Sequence, residues 1–133
     1  MIKNISAVIE DKEGKILLLK RNPNEKWYPK KWCIVAEKIK ENEISDECFK
    51  RGLIEETGIN NCKDIERKKS YLFEDGDFKR IIYPYRCKID NNNIKLNQEH
   101  SDYKWVTLEE LFSFDIAKPV KSSLESFYKI DHA

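Results

Sequence analysis

The chain has 133 residues, the length of one domain, and its 25 Lys and Arg against 24 Asp and Glu leave a formal charge of +1. With no basic or acidic bias, nothing in the charge points to a nucleic-acid polymer or a membrane surface as partner. Cys33, Cys48, Cys62 and Cys87 are widely spaced, and with only His100 and His132 beside them they argue against a zinc site. Free thiols in a Lys- and Glu-rich chain fit a reducing cytoplasm; no apolar run approaches a membrane span, and no signal peptide is expected.

Ile2 to Ile9 is rich in β-branched residues, and Asp11-Lys12-Glu13-Gly14 reads as the turn that follows it. Lys15 to Lys20 is an apolar run with charged ends. That is the pattern of a strand covered on both faces, so helices are expected on both sides of a sheet. Arg21 to Lys31 is polar and broken by Pro23 and Pro29. Its Trp27 and Tyr28 either stack on a nucleotide base or anchor the loop. Trp32 to Ala36 reads as a short strand leading through Glu37 to Glu43 into a helix.

In that helix, over residues 43 to 59, Asp46 and Glu47 lie in the first turn, where the macrodipole favours negative charge. Phe49 and Leu53 stand four apart on an apolar face, and Gly58 is the stop signal. At about 100° per residue, positions 52, 55 and 56 share one flank, so Glu55 and Glu56 point into the same space. Adjacent carboxylates repel there unless a cation sits between them, and two hard oxygen donors suit Mg²⁺ or Mn²⁺. Taken alone, a Glu-Glu pair is more often a solvated acidic face.

Two longer strands are expected next, Arg67 to Phe73 and Phe78 to Ile89, joined by the turn Glu74-Asp75-Gly76-Asp77. Pro84 inside the second argues for an edge or bulged position. Tyr85 and Arg86 either face a substrate base and phosphate, or are a core Tyr and a surface Arg. Residues 90 to 102 form a polar loop and Tyr103 to Val106 a last short strand. Thr107-Leu108-Glu109-Glu110 is a capping box that opens a short helix. Pro119 suits the first turn of a terminal helix with the apolar stripe Val120, Leu124, Phe127 and Tyr128. The mixed order of strands and helices predicts an α/β fold in a single domain over residues 1–133.

At their intervals, Glu43, Arg51, Leu53, Glu55, Glu56, Gly58 and Ile59 resemble the Nudix box. This is the loop–helix–loop signature of hydrolases that cleave nucleoside diphosphates linked to another group. Trp32, Ile34 and Lys38-Ile39 also fall where members of that family carry similar residues, as does the Glu99-His100 pair before Trp105-Val106 and Leu108-Glu109-Glu110-Leu111. The resemblance implies a helix–mixed β-sheet–helix sandwich. It also implies a Mg²⁺- or Mn²⁺-dependent pyrophosphohydrolase acting on a nucleoside triphosphate or similar nucleoside diphosphate derivative. Glu55, Glu56, Arg51 and Glu99 would form the catalytic set, with Arg51 in a structural role pairing with a carboxylate such as Glu55. Glu55, Glu56 and Glu37 are the expected metal ligands; Trp27, Tyr28, Tyr85 and Arg86 are the residues expected to meet the nucleotide.

Two positions depart from the family pattern. Glu37 stands where the family has Gly, and Gly52 stands where it has a metal-binding Glu. A carboxylate has left the helix and another has appeared on the loop expected to face it. Gly in mid-helix costs about 1 kcal/mol against Ala, and nothing local accounts for it. If Glu37 compensates, Gly52→Glu is expected to raise metal affinity. The alternative is a Nudix domain that has lost turnover and binds a nucleotide or a protein.

Overall fold

Ile5 and Ser6 are neighbours on one strand, point to opposite faces as strand geometry requires, and each meets a different helix. The structure is a computed structural model and describes residues 1–130, so His132 lies outside the described residues. The strands are β1 (Lys3–Glu10), β2 (Ile16–Arg21), β3 (Trp32–Cys33), β4 (Val35–Lys38), β5 (Lys63–Arg67), β6 (Tyr71–Asp75), β7 (Phe78–Lys88) and β8 (His100–Val106). The helices are α1 (Ser45–Thr57), α2 (Leu108–Leu111) and α3 (Pro119–Glu125).

One sheet carries them in the order β3-β2-β1-β7-β5, with β4 also on β1, β6 on β7 and β8 on β2. β1 runs parallel to β7 from Lys3↔Ile81 to Glu10↔Lys88, and antiparallel to β2 and β4, which makes the sheet mixed. Ile5 reaches towards Gly52 of α1, while Ser6 hydrogen-bonds Ser123 of α3 at 2.8 Å. Helices therefore cover both faces, and the α/β sandwich expected from the doubly apolar β2 is present: Ile16, Leu17, Leu18 and Leu19 are all buried. No helix among the described residues is long and apolar enough to cross a membrane.

The structure revises several boundaries. Arg67 to Phe73 is not one strand: β5 and β6 each pair antiparallel with β7 and are separated by residues 68–70. Pro84 is in a central strand rather than at an edge, since β7 has β1 on one side and β5 and β6 on the other. It is tolerated because it lies opposite the break, where Lys68 N–H donates to the Pro84 carbonyl at 3.1 Å and no continuous ladder asks for a proline donor. Trp32 to Ala36 divides at Ile34 into β3 on β2 and β4 on β1. β8 begins at His100, before the expected Tyr103, because His100 pairs with Arg21 past an irregularity in β2. The terminal helix ends at Glu125, so Phe127 and Tyr128 follow it; their N–H groups close on the Leu124 carbonyl at 3.0 and 2.8 Å.

Candidate active site

α1 is held at both ends by its own sequence. Glu47 Oε1 accepts the Ile44 N–H at 3.0 Å, and Gly58, at φ 75°, ends the helix by donating to the Ile54 carbonyl. Thr57 Oγ1 donates to the Leu53 carbonyl at 2.6 Å and accepts from Ile59 N–H, which fixes the last turn. Cys48, Phe49 and Leu53 are buried against the sheet.

Arg51 ties the helix to the segment before it. Its guanidinium donates to Glu43 through Nε at 2.8 Å and Nη2 at 3.0 Å, to Glu55 at 3.1 Å and to the Lys38 carbonyl at 2.9 Å. Four of its five N–H donors are thus used inside the protein, and they tie α1 to β4 and to the segment before the helix.

Glu55 and Glu56 leave the helix for different surroundings. The Glu55 side chain is 47% exposed at the rim beside Arg51, whereas the Glu56 side chain is 1% exposed and turns inward. Glu37 of β4 is close enough for its charge to act on Glu56. Burial, reinforced by the charges of Glu37 and Glu99, drives the Glu56 carboxyl well above the usual carboxylate range. Burial also raises Glu37 and Glu99. Oε2 of Glu56 and Oε2 of Glu37 are buried without a hydrogen-bond partner. His100 completes the cluster: its Nε2 is 3.9 Å from Glu56 Oε1 and 3.7 Å from Cys33 Sγ. Burial, helped by the charge of Arg21, pushes it down to about 4, so the ring is neutral at physiological pH. Ligand atoms of Glu56, Glu99 and His100 lie within 4.8 Å of one another.

Glu99 joins this cluster to a cavity on the other side of β4. Its backbone is fixed by Glu99 N–H to Asn97 Oδ1 at 3.1 Å and by Asn22 N–H to the Glu99 carbonyl at 2.9 Å. The cavity, of about 190 Å³, runs between the sheet and α3, and Trp27, Tyr28, Phe78, Arg80 and Glu99 are among its walls. Trp27 and Tyr28 stand edge-on to Phe78, with ring centroids 5.3 and 5.2 Å away. Tyr28 is held at φ 52°, a conformation uncommon for an aromatic residue, while its hydroxyl donates to Asp75 at 2.7 Å. These two residues thus anchor their loop and also present ring surface to the cavity.

The family model described as the NUDIX domain matches residues 2–128. The chain belongs to the Nudix family. The nucleoside triphosphatase NudI of Escherichia coli K12 is 26% identical over 134 aligned positions, covering 92% of this chain and 94% of the relative. Among solved structures, the MutT protein of Methanosarcina mazei is similar with a TM-score of 0.80 and 28% identity, over 93% of this chain and 90% of that one. The NUDIX domain of Shewanella oneidensis NrtR, solved with ADP ribose, has a TM-score of 0.80 at 19% identity, over 95% and 85%, and shares the fold.

Nudix hydrolases generally use a divalent metal, and the residues present fit one. The orphaned, fully buried Glu56 Oε2 in a nest of carboxylates is the group a hard dication would neutralise. Two residues expected at the nucleotide lie elsewhere in this Nudix domain. Tyr85 is buried under α1, stacked on Phe49 with centroids 4.5 Å apart, and its hydroxyl is taken by Ser45 and Asp46. Arg86 is paired with Glu66 and lies 5.3 Å from the ring centroids of Phe127 and Tyr128. Strand alternation explains Tyr85, which faces α1; Arg86 points to the opposite face but is held at Phe127 and Tyr128, and neither side chain is among the cavity walls. His100 is the residue of the Nudix cluster that sequence reasoning missed as a site residue; its place beside Glu99 at the start of β8 was the available signal.

Proposed function

We propose that this Nudix domain is a Mg²⁺- or Mn²⁺-dependent pyrophosphohydrolase of a nucleoside triphosphate or a similar nucleoside diphosphate derivative. The observation that carries the reading is Glu56, a fully buried carboxylate with an unpartnered oxygen, linked through Glu99 to an aromatic-walled cavity. Glu56, with Glu55 at the rim, would hold the ion. When bound, the ion would clamp phosphate oxygens and lower the pKa of the attacking water.

The protein's own groups do the rest. Glu99, half-buried and raised, is suited to accept a proton from that water at its carboxylate. Arg51 keeps α1 and its carboxylates in register with β4. Trp27 and Tyr28 offer ring surface for a base, so that the phosphates extend towards Glu99. The names of the relatives support this class of ligand: one is a nucleoside triphosphatase and another was solved with ADP ribose. The four free cysteines support a cytoplasmic setting.

The test is phosphate and pyrophosphate release from a panel of nucleoside triphosphates and diphosphate derivatives, with Mg²⁺ and with Mn²⁺. Turnover that disappears in Glu56→Gln is the expected result. The absence of a carboxylate at Gly52 favours a second reading, a binding module without turnover. Nucleotides that raise the melting temperature but are never consumed would establish it.

A further inference from the structure

Glu37 and Gly52 are the two departures from the family pattern, and the structure brings them into contact. A Cβ built on Gly52 would stand 3.0 Å from Glu37 Cβ and 3.5 Å from its Cγ, with Ile5 Cδ1 at 3.7 Å. The stem of the Glu37 side chain therefore fills the volume in which a side chain at position 52 would begin. A side chain at position 52 is accommodated only if Glu37 or the strand that carries it gives way by a few tenths of an ångström.

Neither element is free to retreat. Glu37 is paired with Ile5 in the β1–β4 ladder, the Cys48 thiol reaches the Glu37 carbonyl at 3.7 Å, and Arg51 grips the next carbonyl at 2.9 Å. Glu37 is also no loop residue: it lies inside β4 with its side chain only 17% exposed. From there its Oε1 lies 3.9 Å from Arg51 Nη1, and its Oε2, like Oε2 of Glu56, is buried and unpartnered.

We propose that Glu37 is a relocated metal ligand, delivered to the Glu56 cluster from the strand instead of from position 52 of the helix, and that Gly52 is the space that admits it. The proposal rests on the metal-dependent reading above. It reverses the expectation from sequence for Gly52→Glu. A second side chain forced into the filled volume must push β4 from α1, so this substitution alone damages the site.

Isothermal titration with Mn²⁺ and thermal unfolding test it on four chains: wild type, Glu37→Gln, Gly52→Glu, and the double variant Glu37→Gly with Gly52→Glu. Glu37→Gln is expected to weaken Mn²⁺ binding on the order of tenfold or more while leaving the fold intact. Gly52→Glu is expected to lower both Mn²⁺ affinity and melting temperature, and the double variant to recover both relative to that single change. Equal Mn²⁺ affinity for wild type and Glu37→Gln, with Glu56→Gln impaired, overturns this proposal and leaves the hydrolase reading standing. So does tighter binding by Gly52→Glu at an undiminished melting temperature. A wild-type chain that takes up no Mn²⁺ overturns both readings. If Gly52→Glu fails to fold, the comparison with Glu37→Gln still decides.

Discussion

Arg51 binds both oxygens of Glu43 across the loop that leads into α1, at 2.8 and 3.0 Å. The Lys40 N–H adds a third hydrogen bond at 2.9 Å, and these contacts hold the Glu43 carboxyl down at about 2, from an ordinary 4.5. A carboxylate with a depressed folded-state value contributes stability that is complete above about 4.5 and is lost as pH falls through about 2. Urea unfolding at a series of pH values should show Glu43→Gln less stable than wild type at pH 7, and the gap should close on acidification. A gap of constant size from pH 7 to pH 2 would remove the ionised carboxylate from the explanation.

The Trp27 carbonyl is taken by Arg21 Nε at 2.7 Å, so under the proposed function its side chain would meet a nucleotide by stacking. Trp27→Ala should raise KM for the nucleotide by about five- to a hundredfold, as expected from roughly 1–3 kcal/mol per stacked base, with a smaller change in kcat. Tyr85→Phe, which alters a residue beneath α1, should leave KM unchanged. If the two variants give the same KM, the base does not use this cavity.

Ser123 ties α3 to the sheet. It is 1% exposed and hydrogen-bonded to both Ser6 and Tyr71 at 2.8 Å. Ser123→Ala takes a partner from the Ser6 and Tyr71 hydroxyls and should cost about 1–3 kcal/mol in denaturant unfolding. Ser6→Ala in the same chain removes one of these two groups, so the double variant should lose less than the sum of the two single losses.

Helix propensity and packing give opposite signs at position 52. Propensity alone favours Gly52→Ala by about 1 kcal/mol in a mid-helix position. A methyl group 3.0 Å from Glu37 Cβ must instead widen the contact between α1 and β4, and the melting temperature should fall. A rise in melting temperature would show that β4 yields at little cost.

Much of this molecule was legible from local pattern. The doubly apolar β2, the α1 stop at Gly58 and the Thr107–Glu110 capping box were all readable from residues close together in the chain, though α1 runs over Ser45–Thr57, two residues shorter at each end than expected. What was not legible depends on partners far apart. The split between β5 and β6 occurs at Lys68–Ser70, which contains neither Gly nor Pro, and only the strand opposite reveals it. Glu37 and Gly52 were visible as departures, but their contact belongs to the packing of a strand on a helix. Whether Tyr85 was a core residue or a nucleotide contact stayed open in the sequence, because period-two alternation tells which residues share a face, not which face holds the cavity; the structure places it in the core.

The pairing of β1 with β7 also sets the order in which the chain can fold. β1 is the strand on which the sheet is built, yet its parallel partner begins at Phe78 and closes Lys3 against Ile81. During synthesis β1 leaves the ribosome before β7, and β2 and β4 can join it early, but one edge stays open until β7 has been made. Val8 and Ile9, fully buried in the finished sheet, must wait on a nascent chain with that edge unsatisfied. Long-range parallel pairing is slow to form, and an open apolar edge invites pairing with other chains. The central position of β1 thus makes the interval before β7 is complete the period of greatest exposure to misassembly, and a chaperone that shields nascent strands would act there.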